Sequence, residues 1–184
     1  KACLGEWFTS KSFDHSIRQL IRRLNWLCAA RPDLEFPPLD ETAILNCLSA
    51  AFAGMTLAKQ AVAANVKPAF HKHMPSEQWE WLDEFAPQTI PWLDDKPKRL
   101  EYPGKPADKH GNVLPVELHV KLHDCFRLAE HPRICDGEHI VRFKLLTPKN
   151  RKIDYCDDWP TFKQREYPRI RKDLLAKFPG VGWV

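Results

Sequence analysis

The sequence predicts an α+β fold, with a helical first half followed by a small antiparallel sheet and packed helices. Two observations carry this. Apolar residues recur at helical spacing through most of the first 86 positions, and from Ile140 they alternate with basic ones as in a half-buried strand. Charge is divided too. Residues 1–138 hold 17 Lys/Arg against 19 Asp/Glu, a net of −2, while residues 139–184 hold 11 against 5, a net of +6. The change of pattern at Pro87 divides the chain into a helical region, 1–86, and an α+β region, 87–184. The 184 residues suffice for one domain or two small ones, and 43% apolar is a folded composition.

Residues 12–31 read as an amphipathic helix capped by Ser12. Phe13, Ile17, Leu20, Ile21, Leu24 and Leu27 form its apolar stripe, and Arg18, Arg22 and Arg23 fall largely on other faces. Pro32 and Pro37-Pro38 end it. Asp40 caps a second helix, about 41–53, with Ile44, Leu45, Leu48 and Phe52 as its buried stripe, and Gly54 breaks it. A third helical stretch lies near 56–64. A fourth follows Pro75, capped by Ser76, with Trp79, Leu82 and Phe85 recurring until Pro87.

Gln88–Trp92 and Arg99–Tyr102 look extended, and 103–112 is an exposed Pro/Gly/Lys-rich loop. Residues 114–128 return to helical spacing through Leu114, Leu118, Leu122 and Phe126. Ile140–Leu146 predicts a strand with Val141, Phe143 and Leu145 inward. Thr147–Asn150 is a turn, Lys152–Tyr155 a returning strand, and helices close the chain at Trp159–Gln164 and Pro168–Phe178.

Several chemistries are excluded by missing residues. No G-x-x-x-x-G-K-[ST] loop is present to cradle phosphates, and no D-E-A-H-like stretch follows a strand, so ATP hydrolysis is not expected of this chain. His119 and His123 stand four apart on a predicted helix, but Val120 occupies the Glu position of H-E-x-x-H and no further ligand converges. They read as surface histidines, as do His71 and His73. No cysteine is marked as a nucleophile. The six cysteines are scattered, as reduced buried thiols in a cytoplasmic protein are. No cofactor or metal is expected. No apolar run is long enough to cross a bilayer, and no secretory leader pattern is visible. Trp26, Trp79 and Trp81 fall in helical patterns and read as packing residues rather than base-stacking platforms. The chain begins at Lys1, not Met, and reads as a piece of something longer.

The basic tail is the strongest physical lead. Lys149, Arg151 and Lys152 cluster at a turn, and Arg165, Arg169, Arg171, Lys172 and Lys177 follow. On the last helix Arg169 and Lys172 share one face, with Ile170, Leu174 and Phe178 on another. A helix that packs on one side and presents cations on the other can hold phosphates. These eight residues are the candidate RNA contacts. A solvated face on a stand-alone protein-interaction domain is the alternative.

A chain of motifs adds to this. In order they are Leu82–Ile90 (L-D-E-F-A-P-Q-T-I), Leu100-Glu101-Tyr102, Leu118–Phe126 (L-H-V-K-L-H-D-C-F), Pro132-Arg133-Ile134, Leu145-Leu146-Thr147-Pro148 and Tyr167–Leu174 (Y-P-R-I-R-K-D-L), with Trp183 near the end. Over roughly residues 80–184 this resembles the C-terminal region of the HrpB family of bacterial DEAH-box helicases. The earlier part is similar more weakly, through Leu24 and Pro38-Leu39-Asp40-Glu41. The resemblance implies a parent RNA helicase with two RecA-like motor domains, to which ATP and Mg would belong. It places this region after them and after accessory helical and OB-like domains, and makes RNA and the motor the expected partners. The family's basic R-G-R-Y-P-K-H-P-W-like ending reads L-A-K-F-P-G-V-G-W here, so of its cations only Lys177 remains, although Arg171-Lys172 persists.

Overall fold

A computed structural model of the chain describes residues 15–57, 60, 64–93 and 96–183. They belong to two compact units, residues 1–86 with 102–114 and residues 87–101 with 115–184.

In the first unit, α1 (His15–Ala30) buries Ile17, Ile21, Leu24, Trp26 and Leu27. Burying each large side chain contributes roughly 1.5–3 kcal/mol. Phe13 and Ser12 lie outside the described residues. The expected outward placement of the arginines fails at Arg23, which is 3% exposed. It reaches α4 (Ser76–Phe85), donating Nε to the Ala86 carbonyl at 2.7 Å and Nη2 to the Leu82 carbonyl at 3.3 Å, and it pairs with Asp83. A guanidinium can be buried there because it pairs with Asp83 and satisfies the Ala86 carbonyl at the helix end, while sharing the Leu82 carbonyl with the Ala86 N–H.

Asp40 caps α2 (Glu41–Ala51), its side chain accepting from the Ala43 amide at 2.8 Å. Ile44 and Leu48 are buried, but Leu45 is exposed and does not belong to the buried stripe. Gly54 takes a left-handed φ of 79° just past the helix. Most of the helix expected at 56–64 lies outside the described residues. α3 (Lys67–His71) buries Phe70, and the indole of Trp79 on α4 donates to the His71 carbonyl at 3.1 Å. Ser76 is the first helical residue of α4 and caps nothing; Pro75 holds the cap position. Returning to this unit, Tyr102 packs edge-on against Trp26 at 5.5 Å, and the Trp26 indole donates to the Leu114 carbonyl at 2.8 Å.

The second unit is built on β1 (Thr89–Ile90), β2 (Lys98–Glu101), β3 (Val116–Lys121), β4 (Arg133–Ile134), β5 (His139–Leu146) and β6 (Lys152–Cys156). The strand order is β1-β2-β3-β5-β4, and β6 also pairs with β5. The sheet is mixed and not purely antiparallel, because β3 and β5 run parallel from Val116↔Val141 to Lys121↔Leu146. Parallel neighbours require a long crossover, here a 3-10 segment at Leu122–Arg127 followed by β4.

The helix expected over 114–128 is therefore a strand and a 3-10 turn. Leu118 and Leu122 fit periods of two and four alike, so the spacing was ambiguous. Val116, Leu118 and Val120 alternate inward at 2% exposure or less, the β-branched valines favour the strand, and Pro115 disfavours a helix running through it. Val141, Phe143 and Leu145 point inward as expected. On that side α5 (Trp159–Arg165) and α6 (Tyr167–Lys177) follow β6. Phe126 meets Trp159 and Tyr167 with ring centroids at 5.6 and 4.7 Å, and Phe143 meets Trp92 at 6.0 Å.

Candidate nucleic-acid interface

All eight predicted cations are exposed. Lys149 and Arg151 lie in the turn between β5 and β6, and Lys152 begins β6. Arg165 ends α5, and Arg169, Arg171, Lys172 and Lys177 lie on α6. Arg169 meets Glu166 at 3.2 Å, an exposed i,i+3 pair worth a fraction of a kcal/mol. Among the described residues, none of Lys149, Arg151, Arg165, Arg171, Lys172 and Lys177 is ion-paired. On α6, Leu174 is buried with Ile170 and Phe178 half-buried, so the helix packs on one side and presents its cations on the other. The final turn is anchored by Trp183, whose indole donates to the Phe178 carbonyl at 3.0 Å.

The sheet contributes side chains that the tail-centred reading missed. Its inner face is apolar, so the alternate residues of β3, β5 and β6 form the outer face. Pairing sorts them into rows. Glu117 lies opposite Arg142, which is held by Asp157 through two bonds of 2.7 Å. In the next row His119 is opposite Lys144 and Lys144 opposite Tyr155. In the row nearest the turn Lys121 is opposite Leu146 and Leu146 opposite Lys152. Tyr155 is 40% exposed, with Lys152 Nζ at 3.7 Å and the Arg142 guanidinium at 5.8 Å from its ring centroid. The acids thus gather at one end of the face and the cations at the end carrying Lys149 and Arg151. The signal was present in the β5 alternation, where Arg142 and Lys144 are the outward members.

His119 lies on β3 and His123 in the 3-10 segment, so their spacing does not set them on one helical face. A different trio, Cys135, Glu138 and His139, brings one ligand atom each within 4.8 Å of the others on the β4–β5 hairpin. These residue types suit a borderline metal such as zinc. The sequence reading missed them because they come from a tight turn in which Cys135, Asp136 and Gly137 all take left-handed φ. Of the tryptophans, Trp26, Trp92, Trp159 and Trp183 are buried, whereas Trp81 is 42% exposed and is not a core residue. Of the described cysteines, Cys47, Cys125, Cys135 and Cys156 are buried and Cys28 is half-buried. No helix among the described residues is long and apolar enough to cross a membrane.

The sequence matches the HrpB C-terminal family, described as ATP-dependent helicase C-terminal, over residues 47–184. It is similar to the ATP-dependent RNA helicase HrpB of Escherichia coli strain K12, with 22% identity over 169 residues, covering 88% of this chain and 20% of that protein. The fold is shared with the crystal structure of the Escherichia coli DExH-box NTPase HrpB, at TM-score 0.76 and 19% identity over 90% of this chain and 20% of that one. It is shared also with the crystal structure of the Escherichia coli DEAH/RHA helicase HrpB, at TM-score 0.69 and 18% identity over 93% and 21%. The chain spans about a fifth of the length of these relatives.

Proposed function

The chain belongs to the HrpB C-terminal family, and on that premise we propose that it is a non-catalytic accessory region of an ATP-dependent RNA helicase, packing on the motor and contacting RNA through its basic final segment. ATP and Mg, and the hydrolysis they serve, belong on this reading to the motor domains, and the working compartment is the cytoplasm. The observation that carries the RNA contact is the last helix. α6 is fixed through Tyr167 and Leu174 and leaves Arg171, Lys172 and Lys177 exposed and without an acidic partner among the described residues. Such cations lose little on meeting phosphate, because no salt bridge must first be broken. Trp81 and Leu57, 42% and 62% exposed, supply apolar surface of the kind a neighbouring domain covers.

The test is binding of a fluorescent single-stranded RNA to the chain and to its Arg169→Ala/Lys172→Ala variant. Loss of two phosphate contacts predicts a salt slope shallower by about 1.4. Equal affinity and slope for both proteins would overturn the contact. ATP hydrolysis by the purified chain would overturn the non-catalytic assignment.

A further inference from the structure

The outer face of the sheet has a chemistry of its own. Two adjacent rows, His119–Lys144–Tyr155 and Lys121–Leu146–Lys152, hold three lysines, a histidine and an exposed aromatic ring, with no carboxylate among them. The acids of the face lie towards the other end: Glu101 and Glu117 stand opposite each other in the neighbouring row, where Glu117 also approaches the His119 ring at 3.4 Å, and Asp157 is occupied by Arg142. Arg99 adds a further exposed cation on β2, alternating with the buried Leu100. Strands about 4.8 Å apart set the row from β3 to β6 across roughly 10 Å.

We infer that this face is a platform for single-stranded RNA, with Tyr155 stacking a base and Lys121, Lys144 and Lys152 holding the flanking phosphates. A pleated face presents ring and cations at fixed spacing, and one aromatic among lysines is the combination that binds single strands without reading sequence. A duplex offers its phosphates but keeps its bases stacked inside, so it cannot use Tyr155. Lys152 now rests on the ring at 3.7 Å. Its stem is flexible and exposed, so an incoming base displaces it onto a phosphate. Lys152 also joins the face to Lys149 and Arg151 in the adjoining turn, so the platform and the turn cations form one basic track. The platform rests on the reading that the chain meets RNA, but it assigns the contact to residues outside the final helix.

The test measures anisotropy of a fluorescent oligouridylate with the 184-residue chain and four variants: Lys144→Ala, Tyr155→Ala, Tyr155→Phe and Arg169→Ala/Lys172→Ala. All the substituted side chains are exposed or half-buried, and far-UV circular dichroism checks the fold. Tyr155→Ala is expected to weaken binding by roughly tenfold with the salt slope unchanged, since stacking releases no counterions. Tyr155→Phe keeps the affinity. Lys144→Ala makes the slope shallower by about 0.7. Duplex RNA binds more weakly and is insensitive to Tyr155→Ala. If the Tyr155 and Lys144 variants bind like the wild type while the α6 variant loses affinity, the platform is wrong and the final-helix contact stands. If the wild type binds no RNA, both readings fall. Polyglutamate competing as well as oligouridylate would reassign the face to an acidic polypeptide.

Discussion

The imidazole of His131 accepts the backbone N–H of Trp159 on Nδ1 at 3.0 Å. Its Nε2 lies 2.7 Å from the Val141 carbonyl, so the ring is neutral with the proton on Nε2, tying the start of α5 to β5. Burial holds its pKa below the ordinary histidine value, against the raising effects of that carbonyl, Asp157 and Asp158. The unfolded chain therefore takes up the proton first as pH falls. Stability is full above about pH 6.5 and declines below it. His139, also lowered by burial, acts in the same direction. Urea unfolding at several pH values should show this decline, and His131→Gln should shrink it without removing it. A variant as pH-sensitive as the wild type would contradict the assignment.

Arg23 is the polar residue on which α1 and α4 depend. Arg23→Ala removes the bonds to Ala86 and Leu82, takes the guanidinium away from the Ala86 carbonyl and opens a cavity, while the Leu82 carbonyl keeps the Ala86 N–H. The expected cost is about 3 kcal/mol in chemical denaturation. Arg23→Lys should recover only part, because one ammonium cannot reproduce the fork.

Asp157 sits below the usual carboxylate range, chiefly because Arg142 hydrogen-bonds it. Its folded-state pKa is depressed, so its contribution is present above the unfolded value near 3.9 and is lost as pH falls through the folded one. Asp157→Asn should lower the melting temperature slightly at pH 7, and the two proteins should converge in strong acid. A constant difference across that range would exclude the ion pair as the cause.

The cysteines give a labelling prediction. Burial raises the thiols of Cys28 and Cys156 to about 11, and that of Cys125 higher still. Since the thiolate is the reactive form, iodoacetamide near pH 8 should leave all three largely unmodified in the native chain and alkylate them in urea. Mass spectrometry of the digested protein reads the outcome, and rapid native labelling of Cys125 would show that it is not buried.

Much of this was legible from local pattern. The Asp40 cap, the inward trio of β5, and the two closing helices follow from single residues and short periods. The parallel β3–β5 pairing was not legible, because Leu114, Leu118, Leu122 and Phe126 satisfy a helix while Val116, Leu118 and Val120 satisfy a strand, and only the long-range partner decides. Arg23 was misplaced because helical spacing alone cannot show that the Ala86 carbonyl and the Asp83 carboxylate wait at the end of α4. The basic tail could be read as charge along the sequence. The rows on the sheet required register, since His119, Lys144 and Tyr155 are distant in sequence and meet only through strand pairing.

The most direct test of the RNA reading is the affinity of the chain for single-stranded RNA as salt is raised. About four phosphate contacts predict a logarithmic slope near −2.8, so affinity should fall about fiftyfold between roughly 50 and 200 mM salt. No measurable binding at the lower salt, or affinity that does not change across the range, would contradict the account.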